Sequence, residues 1–303
     1  LSDLLNYTPT PIQEIFDEVL EKAGVRLRIK REDLNHPYVC GNKWWKLKYN
    51  LAEAERNKKT ILTFGGAFSN HIFATAAAAN ELGFKSIGII RGEKTLPLNP
   101  TLAFAERRGM ELHYISREEY RKKDEAGFVQ ILQDRFGDFY RIPEGGTNQL
   151  AIKGCEEFAK MHLTADFDYL FLPVGTGGTV AGIITGLRNT KKIIGISVLK
   201  NGEFLKNEVG NLLKDYSGNE FQNWSINTDY HYGGYAKSPP ELKTFIQNFE
   251  HKHSIPIEHV YSAKMFGGIF DLVKKGLFPK GISILAVHTG GLQGKLSPTE
   301  ITR

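Results

Sequence analysis

An α/β fold, with parallel twisted sheets covered by helices on both faces, is the architecture the sequence predicts. Short β-rich apolar runs recur along the chain, glycine turns follow them, and helical stretches follow the turns. No apolar run reaches the roughly 18 residues of a membrane-spanning helix, so each run belongs to a water-soluble core. The 303 residues suffice for two compact units or one large one, and 41% apolar with 24% charged residues is ordinary globular composition.

The elements follow in order. Thr60-Ile61-Leu62-Thr63-Phe64 reads as a buried strand that Gly65-Gly66 turns, and Ser69-Asn70-His71 opens an alanine-rich helix through Leu82. Lys85 to Arg91 is the next strand, Thr101 to Arg108 the next helix, and Glu111 to Ile115 a further strand. Asp138 to Gly146 reads as a crossing point between two lobes, although no shift in composition marks it. Tyr169 to Val174 is a strand running into Gly175-Thr176-Gly177-Gly178-Thr179, and a helix continues to Leu187. Lys192 to Leu199 and Ile282 to His288 complete the strands. Asn201 to Asp229 has little periodicity and yields no element.

Bulk properties narrow the function. Two cysteines, Cys40 and Cys155, do not make a disulfide framework or a metal cluster, so no metal is expected. Leu1 to Pro11 holds no basic region followed by an apolar core, and the expectation is a cytoplasmic protein. The net charge of +5 is diffuse and no aromatic-interleaved basic stripe accompanies it, so neither nucleic acid nor membrane is an expected partner. Arg56-Asn57-Lys58-Lys59 and Arg121-Lys122-Lys123 read as solvated helix ends.

Three segments carry chemistry. The glycines of Gly175-Thr176-Gly177-Gly178-Thr179 let successive N–H groups converge on one anion, and the helix that follows adds its positive end. A phosphate suits that cup, and a plain strand-to-helix turn would look the same. Val180 breaks the dinucleotide fingerprint, and no Gly-Lys-Ser/Thr follows to make a nucleotide P-loop. In Gly41-Asn42-Lys43, a lysine after a small turn can be desolvated until its amine becomes nucleophilic, although most such lysines are simply exposed. Ser69 is a good helix cap, and Asn70 and His71, if turned into a cleft, can hydrogen-bond a ligand.

In this order, and with Lys30-Arg31-Glu32-Asp33, Pro143-Glu144-Gly145-Gly146-Thr147-Asn148, Val260-Tyr261 with Lys264, and His288-Thr289-Gly290-Gly291, the chain resembles the tryptophan-synthase-β-like, or fold-type-II, pyridoxal-phosphate enzymes. Within them it is similar to the branch of 1-aminocyclopropane-1-carboxylate deaminase and D-cysteine desulfhydrase. The resemblance implies two lobes: residues 1–43 with 141–303 as the large cofactor-binding lobe, and 44–140 as a smaller inserted α/β lobe, with the cleft between them. It implies pyridoxal 5′-phosphate as cofactor, a small amino acid as substrate and a homodimer. By the same resemblance Lys43 binds the cofactor covalently and moves the α-proton. Asn70 meets the phenolic oxygen, Gly175, Thr176, Gly177, Gly178 and Thr179 take the phosphate, and Thr289 meets the pyridine nitrogen. Ser69, Asn70, His71 and Tyr261 face the substrate, with Ser69 and Tyr261 catalytic.

The resemblance also separates two activities. The deaminases carry a Tyr-Ala-His-Leu-Gly-Gly pattern where this chain has Ala286-Val287-His288-Thr289-Gly290-Gly291, and they tend to have glutamine where His71 stands. Loss of that tyrosine, taken as a group on the reacting face, and the presence of Thr289 both point to the desulfhydrase side. β-Elimination from a D-cysteine-like substrate is therefore the expected reaction, with cyclopropane deamination or a catalytically silent binding protein as alternatives. Phe68 is expected to narrow the substrate pocket.

Overall fold

The computed structural model describes residues 5–57 and 60–295. In chain order the elements begin with β1 (Ile12–Ile15), α1 (Glu18–Ala23), β2 (Arg26–Lys30), α2 (Asn42–Arg56), β3 (Thr60–Gly65), α3 (Asn70–Glu81) and β4 (Ser86–Arg91). They continue with α4 (Pro100–Arg107), β5 (Met110–Ile115), α5 (Arg117–Arg121), α6 (Ala126–Phe136), β6 (Phe139–Ile142) and α7 (Gln149–His162). The last are β7 (Tyr169–Val174), α8 (Gly178–Leu187), β8 (Lys192–Ser197), α9 (Leu205–Ser217), β9 (Trp224–Asn227), α10 (Pro240–His253), α11 (Ser262–Lys274) and β10 (Ser283–Val287).

Two sheets result. One has four parallel strands in the order β5-β4-β3-β6, and the other has six in the order β1-β2-β10-β7-β8-β9. In the larger sheet all pairs are parallel except β1 with β2. That exception to the expected parallel arrangement has a simple cause. The stretch from Phe16 to Val25 is shorter than the crossover of about a dozen residues that a parallel neighbour requires.

Helices cover both faces of each sheet, because the strands are apolar on both sides. In β10, Leu285 and Val287 join the core shared with α2, α3, α7 and α8, while Ile284 and Ala286 join the core under α1, α10 and α11. Small residues set the spacing of the central helices. A Cβ on Gly154 of α7 would lie 1.9 Å from the Trp45 carbonyl oxygen of α2, and one on Gly182 of α8 would lie 2.4 Å from Cβ of Cys155 in α7. Helices α2, α7 and α8 therefore pack backbone to backbone, which fixes the start of α2 relative to the start of α8.

The segment from Asn201 to Asp229 contains α9 and the edge strand β9. Helix α9 buries only Leu205, Val209 and Leu213, a stripe one residue wide, and its N-terminus has no side-chain cap. Arg56 and Asn57 close α2, while Lys58 and Lys59 lie outside the described residues. Lys123 is not a solvated helix end: it pairs with Asp124 at 3.1 Å and Glu144 at 3.6 Å and lines a cavity. Among the described residues no helix is long and apolar enough to cross a membrane, and no three His, Cys, Asp or Glu side chains group as metal ligands.

Candidate active site

The C-terminal ends of β3, β4, β6, β7 and β10 open onto one cavity of about 740 Å³, where parallel α/β sheets place ligands. It brings together Lys43, Ser69, Asn70, His71, Gly175, Thr176, Gly177, Thr179, Tyr261 and Thr289; Gly178, the remaining residue of the expected set, is not part of its lining.

Lys43 sits in the first turn of α2, and a buried network holds that turn in place. Gly41 has φ +68°, and a Cβ there would lie 1.9 Å from the Thr289 carbonyl oxygen, so only glycine fits. Asn35 brackets it: Oδ1 accepts from Gly41 N–H at 2.8 Å, and Nδ2 donates to Gly41 C=O at 3.1 Å. Asn35 is fixed in turn by Glu32, whose carboxylate also accepts from Thr10, Tyr7 and Trp45. The Lys30-Arg31-Glu32-Asp33 segment thus builds the platform under Lys43. Burial pushes the Lys43 amine down to about 8.

Two hydrogen-bonded paths join α2 to the glycine loop. Lys43 Nζ donates to Asn42 Oδ1 at 3.1 Å, and Asn42 Nδ2 donates to Thr179 Oγ1 at 2.8 Å. One turn along, Lys46 Nζ donates to Thr147 Oγ1 at 2.8 Å, which lies 2.7 Å from Thr176 Oγ1. Lys46 is a site residue the sequence reading missed, although i and i+3 on a helix share a face and the spacing was legible. It is 1% exposed, and burial together with repulsion from Lys43 pushes its amine down to about 7.

These residues fit pyridoxal phosphate. Gly177 is left-handed at φ +80° and no side chain caps α8, so the first N–H groups of that helix are free for an anion. A Cβ on Gly178 would reach 2.8 Å from Thr147 Oγ1, so the cup closes only around glycine. Thr147, Thr176 and Lys46 add hydroxyl and ammonium donors. Lys43, on the first path, presents the amine that an aldehyde requires.

At the other end, Ser69 caps α3 by accepting from Ile72 N–H at 3.2 Å, which leaves its hydroxyl proton for a ligand. Asn70 Oδ1 is taken by Gln293 Nε2, so its amide N–H remains as donor. His71 departs from expectation. Its Nε2 lies 2.7 Å from Thr63 Oγ1, which donates to Ile142 C=O, so Nε2 carries the proton; Nδ1 faces Thr75 Oγ1 at 3.4 Å. Both nitrogens are engaged, and the ring supplies wall rather than a hydrogen bond to substrate. Burial, with Lys43 and Lys46 nearby, holds it well below the usual histidine range and therefore neutral.

Tyr261 precedes α11 and faces the loop, since a Cβ on Gly175 would sit 3.3 Å from its ring. The buried Glu258 carboxylate fixes it by accepting from the N–H groups of Val260, Tyr261 and Ser262 at 2.6, 2.9 and 2.7 Å. Burial, then the neighbouring Tyr235, hold the Tyr261 phenol well above its ordinary value, so it keeps its proton. Tyr235, which no motif marks, lines the cavity with its ring centroid 6.1 Å from that of Tyr261. Buried Lys264 ties its loop down by donating to Gly234 C=O at 2.7 Å.

Two expectations are corrected. Ala286 does not face the cavity: it is fully buried in the apolar layer with Ile29, Phe171 and Phe266, so it presents no surface to a substrate. Phe68 is 52% exposed and does not line the cavity; only its carbonyl bears on the site, accepting from Tyr235 Oη at 3.4 Å.

Comparison with known proteins agrees with this geometry. Residues 4–290 match the family described as pyridoxal-phosphate dependent enzyme. The chain is 32% identical to a bifunctional D-cysteine desulfhydrase/1-aminocyclopropane-1-carboxylate deaminase of Arabidopsis thaliana, over 96% of this chain and 78% of that protein. It is 29% identical to a 1-aminocyclopropane-1-carboxylate deaminase of Rhizobium leguminosarum, over 95% and 93%. A crystal structure of an ACC deaminase homologue superposes with TM-score 0.83 at 29% identity, covering 96% of this chain and 92% of that one. A hydrogen sulfide-producing enzyme of Fusobacterium nucleatum shares the fold, with TM-score 0.69 at 16% identity over 98% and 100%. The chain thus belongs to the pyridoxal-phosphate-dependent enzymes of the 1-aminocyclopropane-1-carboxylate deaminase and D-cysteine desulfhydrase family.

Proposed function

We propose that the enzyme catalyses β-elimination from a small D-cysteine-like amino acid, giving an α-keto acid, ammonia and sulfide. The observation that carries this reading is a complementary pair in one cavity: Lys43, whose amine is pushed down to about 8, and Tyr261, which keeps its proton. Elimination needs a base at Cα and a proton donor at the departing group, and the two side chains fill those roles. Pyridoxal 5′-phosphate, when bound, supplies the electron-withdrawing ring that makes the Cα–H bond acidic.

The chain's residues do the rest. Lys43 Nζ takes the Cα proton, and Tyr261 Oη delivers one to the leaving sulfur. Ser69 and Asn70 donate to the substrate carboxylate and the cofactor's phenolic oxygen. The glycine loop, Thr176, Thr179 and Lys46 would hold the phosphate. Thr289, which lines the cavity, would offer a hydroxyl to the ring nitrogen of the bound cofactor.

A second reading, cyclopropane deamination to 2-oxobutanoate and ammonia, gains from the position of Ala286, since a small residue inside the core takes nothing from the reacting face. Purified holoenzyme should release pyruvate and sulfide from D-cysteine, and Lys43→Ala should abolish both. Release of 2-oxobutanoate from 1-aminocyclopropane-1-carboxylate, with no pyruvate from D-cysteine, would favour the second reading.

A further inference from the structure

The cavity carries more positive charge than the phosphate cup uses. Its wall on the side of the four-stranded sheet holds Arg91, Lys123 and Arg141 against two carboxylates, Asp124 and Glu144. Lys123 engages both carboxylates, and Arg141 holds Asp124 at 3.3 Å. Arg91 is left with Glu144 Oε1 at 4.0 Å, too long for a hydrogen bond. Among the described residues its guanidinium donates no other hydrogen bond.

Arg91 is nevertheless fixed in place. It ends β4, its guanidinium carbon lies 5.5 Å from the centre of the Tyr120 ring, and Gly66 packs against it, where a Cβ would meet Nη2 at 3.4 Å. Gly66 begins the turn that presents Ser69, so the unused guanidinium stands beside the substrate end of the cavity. A rigid fork of N–H donors, half shielded from solvent and held only by the long ion pair to Glu144, is a preformed seat for a carboxylate, sulfonate or phosphate.

We propose that Arg91 docks a second anionic group on the substrate, so that the enzyme prefers amino acids whose side chain ends in a negative charge over neutral ones of the same shape. The inference rests on the reading that this cavity binds an amino acid, and it is independent of which bond is broken.

Isothermal titration of the holoenzyme with two isosteric pairs, aspartate against asparagine and glutamate against glutamine, each in both enantiomers, isolates the charge. In at least one pair the charged member should bind about tenfold more tightly. Arg91→Gln should remove that advantage, and Arg91→Lys should keep part of it. Equal affinities within both pairs, no binding by either charged amino acid, or an advantage that survives Arg91→Gln would overturn the proposal. Turnover of D-cysteine on the same preparation separates the two claims: absence of pyruvate sinks the elimination reading and leaves the isostere comparison standing.

Discussion

Replacing Lys46 by methionine tests the phosphate cup through a property that a packing residue would not share. Methionine keeps the apolar stem and removes the ammonium that donates to Thr147 at 2.8 Å. A hydrogen bond to a charged group contributes about 1.5–3 kcal/mol, so affinity for a phosphate ligand should fall roughly ten- to hundredfold. The pH dependence is more specific. In the ligand-free protein burial pushes Lys46 down to about 7, so above that pH it is mostly neutral and must regain a proton to pair with phosphate. Wild-type affinity should therefore decline from pH 7 upward, by up to about tenfold per unit. Pyridoxine 5′-phosphate is the suitable probe, because it lacks the aldehyde and keeps condensation at Lys43 out of the measurement. Calorimetric titration from pH 6.5 to 8.5 should show the decline in wild type and a flat profile through about pH 8 in Lys46→Met, where only Lys43 remains to titrate. Equal affinity in both proteins, or a decline that persists in the variant, would refute the assignment of Lys46 to the cup.

Other consequences are accessible to simple assays. Lys43, Lys46 and Lys264 all lose their protons more readily folded than unfolded, so the unfolded chain binds more protons between pH 7 and 8.5. The sign gives stability that rises with pH, and the melting temperature of the cofactor-free protein should increase across that range; a flat or falling trend counts against these buried ammonium groups. Tyr261→Phe should lower kcat by about 10²-fold or more with a smaller change in KM, as for a lost proton donor, and an unchanged kcat would remove Tyr261 from the chemistry. Glu258→Gln loses an acceptor that serves three N–H groups, and should lower kcat through misplacement of Tyr261 while the cofactor stays bound, as its absorbance would report. Gly154→Ala drives a methyl into the Trp45 carbonyl and should cost about 1–3 kcal/mol in urea denaturation, with wild-type stability contradicting the close α2–α7 contact.

The strands that position the site were legible where both faces are buried. Tyr169 to Val174 is continuously apolar, ends at glycine, and matches β7 residue for residue. β2 escaped notice because Arg26 and Arg28 alternate with Leu27 and Ile29 beside the edge strand β1, where one face meets solvent. Helix α9 escaped because three buried residues without a cap give too faint a period. Within the site, Lys43 and the glycine loop announced themselves by motif. Tyr235 and Arg91 did not: one stands in an irregular loop and the other at a strand end, and only the packing of Gly66, Phe68 and Tyr261 shows which way each faces. The Ala286 misreading came from treating a position in a motif as a position in the cavity. Alternation along β10 turns residue 286 to the opposite face from Leu285 and Val287.

The most direct measurement is borohydride reduction of the holoenzyme, followed by proteolysis and mass spectrometry of the peptides from α2. The reduced cofactor should be found on Lys43 alone, with Lys46, one turn away and held by Thr147, unlabelled. Label on Lys46, or on no residue of α2, would contradict the assignment of Lys43 as the amine that meets the cofactor.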